Sequence, residues 1–236
     1  MENGQGVYAQ MDKNTVSAKS QLKESNCVRF HHMGGDGTRV MLVGNSITLH
    51  GIKHEIGWHN EWGMAASAEE KDYVHLLERT VLEKDSAAAF CVCQASEWEV
   101  EYRHGSDVLP LCYGEARRFA PDVIIFRCIE NCPRKDFDET TFLAELDKLL
   151  AYLNADGHAH IIITTGFWRH PGNDALRAYA AERGYPMVEL SDLGEIDEMK
   201  ALGLFEHEGV ANHPGDAGMQ TIADRLAPHL LRALNR

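Results

Sequence analysis

Residues 39–46 read RVMLVGNS, an apolar run of strand length followed by a glycine and two small polar residues. Several apolar side chains in succession indicate a strand that is covered on both faces. Gly44 lets the backbone turn sharply after this strand, and Ser46 then stands at the expected start of the next element. Ligands of parallel sheets bind beyond the carboxyl ends of the strands, so Ser46 is the first candidate functional residue.

The rest of the chain repeats this alternation of strand and helix. Further β-rich runs occupy residues 88–93, 123–126, 160–164 and 186–190. Helical patterns occupy about residues 69–83, 142–154, 174–183 and 216–234. Strands that alternate with helices are typical of βαβ units. We therefore predict an α/β protein: a three-layer α/β/α sandwich of flavodoxin-like type, with a central, mainly parallel sheet of about five strands.

The length of 236 residues fits one large α/β domain and is short for two domains with a linker. Residues 1–26 are polar and lack a clean hydrophobic period. We expect them to form a flexible or peripheral N-terminal arm, and residues 27–236 to form a single domain.

Charge and composition exclude several classes of partner. The formal net charge of -13 disfavours binding to nucleic acid or to anionic membranes. The six cysteines lack CxxC spacing and are expected to be reduced thiols. His50 and His54 stand four residues apart, but Gly51 and Gly57 weaken a metal-binding helix there. With no apolar signal core at the start and no run of about 18 apolar residues, we expect a cytoplasmic protein without cofactor or metal.

Three short segments, taken in chain order, resemble the signature blocks of SGNH/GDSL-type serine esterases and acylhydrolases. Gly44-Asn45-Ser46-Ile47-Thr48 resembles the first block, whose serine is the nucleophile, with Asn45 in place of the more common aspartate. Arg127-Cys128-Ile129-Glu130-Asn131 resembles the Gly-x-Asn block, with Ile129 in place of the glycine. His213-Pro214-Gly215-Asp216 resembles the last block, in which a histidine precedes the final helix.

The resemblance implies a role for each block. Ser46 would be the nucleophile and His213 its general base. The backbone N–H of Ser46, the side-chain amide of Asn131 and the backbone N–H near Ala95 would form the oxyanion hole. The family usually has a glycine at the position of Ala95, and an alanine keeps the backbone donor.

The catalytic acid does not follow from the resemblance. The family places an aspartate three residues before the histidine, and this chain has Val210 there. Glu208 is the leading alternative for orienting His213, and Glu206 and Glu130 are the others. A backbone carbonyl in place of any carboxylate also stays open.

Aromatic residues are frequent in the connection that follows the nucleophile. Trp58 and Trp62 could stack on a sugar ring or cover an acyl group, or they could form a hydrophobic lid packed over the sheet edge. The expected substrate-binding residues are Asn45, Trp58, Trp62, Trp98 and Trp168.

The resemblance thus implies a hydrolase that cleaves a small-molecule ester through an acyl-enzyme. A carbohydrate ester or a small-acyl ester, such as an acetyl ester, is the expected substrate class. The missing aspartate keeps open a non-catalytic ligand-binding protein on the same scaffold. An acyltransferase that uses the same serine is the other alternative, and the sequence does not specify the oligomeric state.

Overall fold

A single six-stranded sheet forms the centre of the protein, whose computed structural model describes residues 22–235. Its strands are β1 (Val28–His31), β2 (Arg39–Gly44), β3 (Ala89–Gln94), β4 (Val123–Arg127), β5 (His160–Thr164) and β6 (Met187–Val188). They lie in the order β1-β3-β2-β4-β5-β6, and all are parallel except the edge strand β1, which runs antiparallel to β3. Numbered among themselves, the five parallel strands follow the flavodoxin-like order 2-1-3-4-5. The predicted α/β fold is confirmed, with β1 as an additional strand.

Eight α-helices accompany the sheet within the described residues. They are α1 (Tyr73–Leu82), α2 (Ser96–Val100), α3 (Gly105–Cys112), α4 (Gly114–Phe119), α5 (Glu139–Leu153), α6 (Gly172–Arg183), α7 (Glu208–Ala211) and α8 (Asp216–Leu234). None of the helices in this part of the chain is long and apolar enough to cross a lipid bilayer.

Two hydrophobic cores lie on opposite faces of the sheet. Met41 and Val43 of β2 face a core with Phe142 and other side chains of α2 to α6. Leu42, between them, faces the core that α1 and α8 cover, where Leu77 is a member. Successive residues of a strand point to opposite faces, so a strand covered on both sides has to be apolar throughout.

The longer predicted helices correspond to α1, α5, α6 and α8, although α1 begins four residues later than predicted, α5 three earlier and α6 two earlier. Asp72 caps α1 by accepting a hydrogen bond from the backbone N–H of His75 at 2.8 Å. Residues Glu69–Lys71 form a separate 3-10 turn before this cap, and the helix therefore begins at Tyr73 and not at residue 69.

The predicted N-terminal arm lies mostly outside the described residues, which begin at Leu22. Its last residues contact the domain. Leu22 packs against the core, and Glu24 accepts a hydrogen bond from the backbone N–H of Phe30 at 2.9 Å. The segment 22–26 thus continues into β1.

The parallel strands bring the candidate residues to one edge of the sheet. Gly44 at the end of β2 pairs in register with Gln94 of β3 on one side and with Arg127 of β4 on the other. Ser46 and Asn131 follow directly after β2 and β4. His213 reaches the same edge from the loop before α8, where its carbonyl accepts from the Ala201 N–H at 2.9 Å.

Candidate active site

Ser46 and His213 form a hydrogen-bonded pair at the carboxyl edge of the sheet. The Oγ of Ser46 lies 2.8 Å from the Nε2 of His213, although the two residues are 167 positions apart in sequence. Both line a pocket of about 490 Å³, and Asn131 lines the same pocket. The structure thus brings together the serine, histidine and asparagine that the sequence selected.

A backbone carbonyl, and not a carboxylate, orients the histidine. The Nδ1 of His213 lies 2.7 Å from the carbonyl oxygen of Gly209, which can only accept, so Nδ1 carries the proton. This tautomer leaves the Nε2 lone pair facing Ser46. The backbone N–H of His213, four residues after Gly209, donates to the carbonyl of Val210 at 2.9 Å, which leaves the Gly209 carbonyl to the ring.

The predicted acids are therefore wrong in this structure. Glu206 and Glu208 are exposed, and among residues 22–235 no carboxylate hydrogen-bonds the ring of His213. Glu130 is engaged elsewhere, in an ion pair with Arg127 at 2.6 Å.

The surroundings of His213 favour its neutral form. Burial lowers the pKa of the imidazole to about 4, an effect that the Gly209 hydrogen bond opposes. Trp168 packs edge-on against the ring, with centroids 5.3 Å apart. A neutral histidine at neutral pH can accept the hydroxyl proton of Ser46.

Asn131 is held in place by two side chains of the neighbouring segment. Its Nδ2 donates to the Oε2 of Glu99 at 2.7 Å and to the Oγ of Ser96 at 3.3 Å. These bonds fix the amide at the pocket wall. The backbone N–H of Ser46 has no hydrogen-bond acceptor among the described residues.

The predicted oxyanion donor at Ala95 is wrong. The N–H of Ala95 donates to the carbonyl of Gly44 at 2.6 Å, and the residue is completely buried. The next N–H along, that of Ser96, donates to the side chain of Gln94 at 2.9 Å. Both N–H groups after β3 are therefore already satisfied within the protein, one by β2 and the other by the Gln94 side chain.

A buried polar cluster lies directly under the nucleophile and consists of Asn45, Glu99, Arg127 and Glu130. Asn45 donates through Nδ2 to Glu130 at 2.6 Å and to Glu99 at 3.1 Å, and its Oδ1 accepts from Arg127. Glu99 and Arg127 are completely buried. Asn45 was predicted to bind substrate, and its buried side chain serves this cluster instead.

The two glutamates of the cluster differ in protonation state. Burial and the neighbouring Glu130 raise the pKa of Glu99 to about 8. Burial acts on Glu130 in the same direction, but Arg127 outweighs it and lowers the pKa of that carboxyl. The cluster at neutral pH is accordingly a charged Arg127–Glu130 pair beside a protonated Glu99.

Two of the predicted substrate-binding tryptophans are wrong, because Trp58 and Trp98 are completely buried. Trp58 belongs to a small core that Trp62 covers, with the indole N–H of Trp62 bonded to the Ala66 carbonyl at 3.0 Å. This arrangement matches the hydrophobic lid that the sequence left as the alternative. Trp168 is half-buried and contacts His213.

Sequence reasoning missed much of the pocket wall. The residues concerned are His50, Lys53, Ile56, Met64, Gln94, Ser96, Val100 and His207. Gln94 ends β3, and the rule that ligands lie beyond strand ends would have found it. Ser96 and Val100 lie in the five-residue helix α2 and Ile56 in a 3-10 turn, elements too short for a periodic signal, and the others come from loops or short turns.

The sheet order and the Ser-His pair at its carboxyl edge together define a protein with the fold of the SGNH/GDSL esterases, and solved structures agree. The chain is similar to a two-domain esterase active on acetylated mannans, with a TM-score of 0.56 at 14% identity over 85% of this chain and 50% of that one. It is also similar to a carbohydrate esterase of family 3 from Talaromyces cellulolyticus, with a TM-score of 0.53 at 12% identity over 84% of this chain and 98% of that one.

A third solved structure belongs to the lipolytic G-D-S-L family, from Desulfitobacterium hafniense DCB-2. It matches with a TM-score of 0.51 at 13% identity, over 81% of this chain and 99% of that one. The chain spans about half the length of the mannan esterase. Neither family models nor curated proteins match the sequence. The resemblance predicted from the three motifs is confirmed at the level of the fold.

We expect Glu99→Gln to change how stability depends on pH. Because the folded state raises the pKa of Glu99 from 4.5 to about 8, its contribution is complete below pH 4.5 and is lost as the pH rises through about 8. A glutamine cannot ionise, so the variant should gain stability relative to the parent between about pH 5 and about pH 9. Melting temperatures across that range measure this.

The control for this experiment is Glu101→Gln, which changes an exposed carboxylate close in sequence. Its melting curve should follow that of the parent at every pH. Parallel curves for Glu99→Gln and the parent would show that Glu99 ionises normally and would contradict the account of the cluster.

Proposed function

We propose that the protein is a serine hydrolase that cleaves an ester through an acyl-enzyme on Ser46. The observation that carries this proposal is the 2.8 Å contact between Ser46 Oγ and the Nε2 of a His213 whose other nitrogen is protonated. A nucleophile within hydrogen-bond reach of an oriented, neutral base is the arrangement that nucleophilic catalysis requires.

The reaction follows from the positions of these atoms. His213 Nε2 takes the proton of Ser46 as Oγ attacks the ester carbonyl, and it returns that proton to the departing alcohol. Water, deprotonated by the same nitrogen, then attacks the acyl carbonyl; the bond to Ser46 Oγ breaks, the acid leaves, and His213 returns the proton to Oγ. The N–H of Ser46 is the donor free to bind the tetrahedral oxyanion, and the Nδ2 of Asn131 joins it by giving up its 3.3 Å bond to the Oγ of Ser96.

Small acyl esters of polar alcohols are the substrate class that we propose. Ile56, Met64 and Val210 give the pocket an apolar wall, and Gln94 and other polar side chains give it a polar one. An acetyl group suits the first wall and a hydroxyl-rich alcohol suits the second. The likeness to esterases of acetylated mannans and other carbohydrates supports the same class.

Replacement of the nucleophile is the direct kinetic test of the function. Ser46→Ala removes the attacking oxygen and should lower the kcat/KM for p-nitrophenyl acetate by about three orders of magnitude or more. Ser86→Ala, an exposed serine at the opposite end of the sheet, is the matched control and should match the parent. Equal turnover by Ser46→Ala and the parent would refute the proposal.

Replacement of the nearby acids should have little effect. Because Gly209 orients His213 through its backbone, Glu208→Gln and Glu206→Gln should each keep kcat/KM for p-nitrophenyl acetate within about threefold of the parent. A loss of about two orders of magnitude in either variant would mean that this carboxylate, and not the carbonyl, supports the base.

A further inference from the structure

Three histidines surround a buried glutamate where the edge strand β1 passes α1, on the far side of β1 and β3 from the helices α2 to α4. Glu78 of α1 is 2% exposed. The Nδ1 of His31 lies 2.6 Å from its Oε1, and the Nε2 of His32 lies 3.5 Å from its Oε2. The ring of His75, on α1, stacks on that of His31 with centroids 5.2 Å apart. None of these residues lines the Ser46 pocket.

The burial of Glu78 calls for a positive charge beside it. An ionised carboxylate taken out of water is strongly destabilising unless a cation is close. Within residues 22–235, no lysine or arginine forms an ion pair with Glu78. Its charged-group partners there are imidazoles, which are also the side chains that most often bind transition metals in proteins.

The donor atoms lie close enough to share one ion. One nitrogen each of His31 and His75 and one oxygen of Glu78 all lie within 4.8 Å of one another. Ligand atoms around a tetrahedral zinc ion are about 3.3 Å apart, so side-chain movements of about 1.5 Å or less complete the geometry. Two imidazoles and a carboxylate suit Zn²⁺ and disfavour Mg²⁺ and Ca²⁺, which take oxygen ligands.

Asp72 already orients one of these histidines as a ligand. The Nδ1 of His75 lies 2.9 Å from the Oδ1 of Asp72, and since a carboxylate only accepts, this nitrogen carries the proton. Nε2 lies 3.6 Å from the Oε1 of Glu69, and although burial opposes it, Asp72, Glu78 and Glu69 together raise the pKa of His75 to about 9. A metal ion would therefore displace the proton that Nε2 carries at neutral pH. A metal-binding histidine in proteins almost always has such a carboxylate or carbonyl on its second nitrogen.

His32 supplies a candidate for the fourth position. Its φ of 56° lies in the left-handed region, which a side chain other than glycine adopts at some cost. The ring reaches Glu78 with its Nε2, while 49% of the side chain stays exposed to solvent. A water molecule is the other ligand that would complete the set.

We propose that His31, His75 and Glu78 form a structural site for a transition-metal ion of the Zn²⁺ type. This inference departs from the sequence-based expectation of no metal, and it does not depend on the hydrolase mechanism. The ion would join edge strand β1 to α1, two elements that the chain otherwise links through a long connection.

Hydrogen bonds also connect the proposed metal site to the loop that contacts Ser46. The second oxygen of Asp72 accepts the backbone N–H of Gly63 at 2.9 Å. The next N–H, that of Met64, donates to the carbonyl of Ser46 at 2.8 Å. A metal that fixes His75 and Asp72 would therefore stabilise the segment on which Ser46 rests, without touching the reacting atoms.

Zinc binding by the full chain tests the proposal. The protein is first stripped with a chelator and then titrated with ZnCl₂ against a chromophoric zinc indicator. Cys27→Ser and Cys112→Ser are introduced throughout, because these thiols and Glu97 form a second metal-capable group among the described residues. We expect one Zn²⁺ per chain, a higher melting temperature with Zn²⁺ than with Mg²⁺, and visible absorption bands with Co²⁺.

Two matched histidine pairs locate the ion. His31→Asn with His75→Asn should weaken zinc affinity by about tenfold or more and abolish the thermal shift. His54→Asn with His59→Asn removes another close pair of histidines, whose Nδ1 atoms are 2.7 Å apart. This variant should keep the zinc affinity and the thermal shift of the parent. Circular dichroism of each stripped variant checks that it folds, and the single variant His31→Asn replaces the double one if it does not.

Three results would overturn the proposal. The first is a parent that binds no zinc at micromolar concentration. The second is equal affinity in the parent and the folded His31 variant. The third is loss of binding only in the His54/His59 variant, which would place the ion at the other pair.

Discussion

A buried ion pair between Arg127 and Glu130 supports the whole carboxyl edge of the sheet. Both side chains are withdrawn from solvent, and Glu130 lies 2.6 Å from the guanidinium. Removing either partner would leave an uncompensated charge in the interior, which costs about 3–5 kcal/mol in proteins. Glu130 also accepts the N–H of Phe167 after β5 at 2.8 Å and the Nδ2 of Asn45 after β2 at 2.6 Å. The pair therefore joins the ends of the neighbouring strands β2, β4 and β5.

The same pair explains why Asn45 stands where an aspartate is more common in the family that the motifs resemble. Its amide accepts from Arg127 through the oxygen and donates to Glu99 and Glu130 through the nitrogen. An aspartate has no donor and would place a third carboxylate beside those two. The neutral amide fits a site in which two glutamates share one arginine.

A neutral backbone carbonyl, and not an ion pair, holds the base His213 in place. The carbonyl of Gly209 fixes the tautomer of His213 as a carboxylate would, but it carries no net charge. Burial, which lowers the pKa of His213 to about 4, makes the imidazolium costly during the reaction. A carbonyl offsets that cost less than an aspartate does. His213 is thus neutral at physiological pH and ready to accept a proton. Its charged form, once made, is stabilised only modestly by the Gly209 carbonyl.

Sequence predicted the parts of this site that follow regular elements. Strand periodicity located β2, β4 and β5, and the positions after strands led to Ser46 and Asn131. β1 and α7 escaped prediction, because they have four residues each and span too little chain for a period. The orientation of His213 and the burial of Trp58 and Trp98 depend on tertiary packing, so neither could be predicted from spacing.

Covalent labelling shows whether Ser46 is a nucleophile that His213 activates. The full chain is treated with a fluorophosphonate probe and mapped by peptide mass spectrometry, with His213→Gln in parallel. We expect one adduct, on Ser46, whose formation slows by about two orders of magnitude or more without the base. An adduct on another residue, or equal labelling rates in the parent and the His213 variant, would contradict this role of the pair.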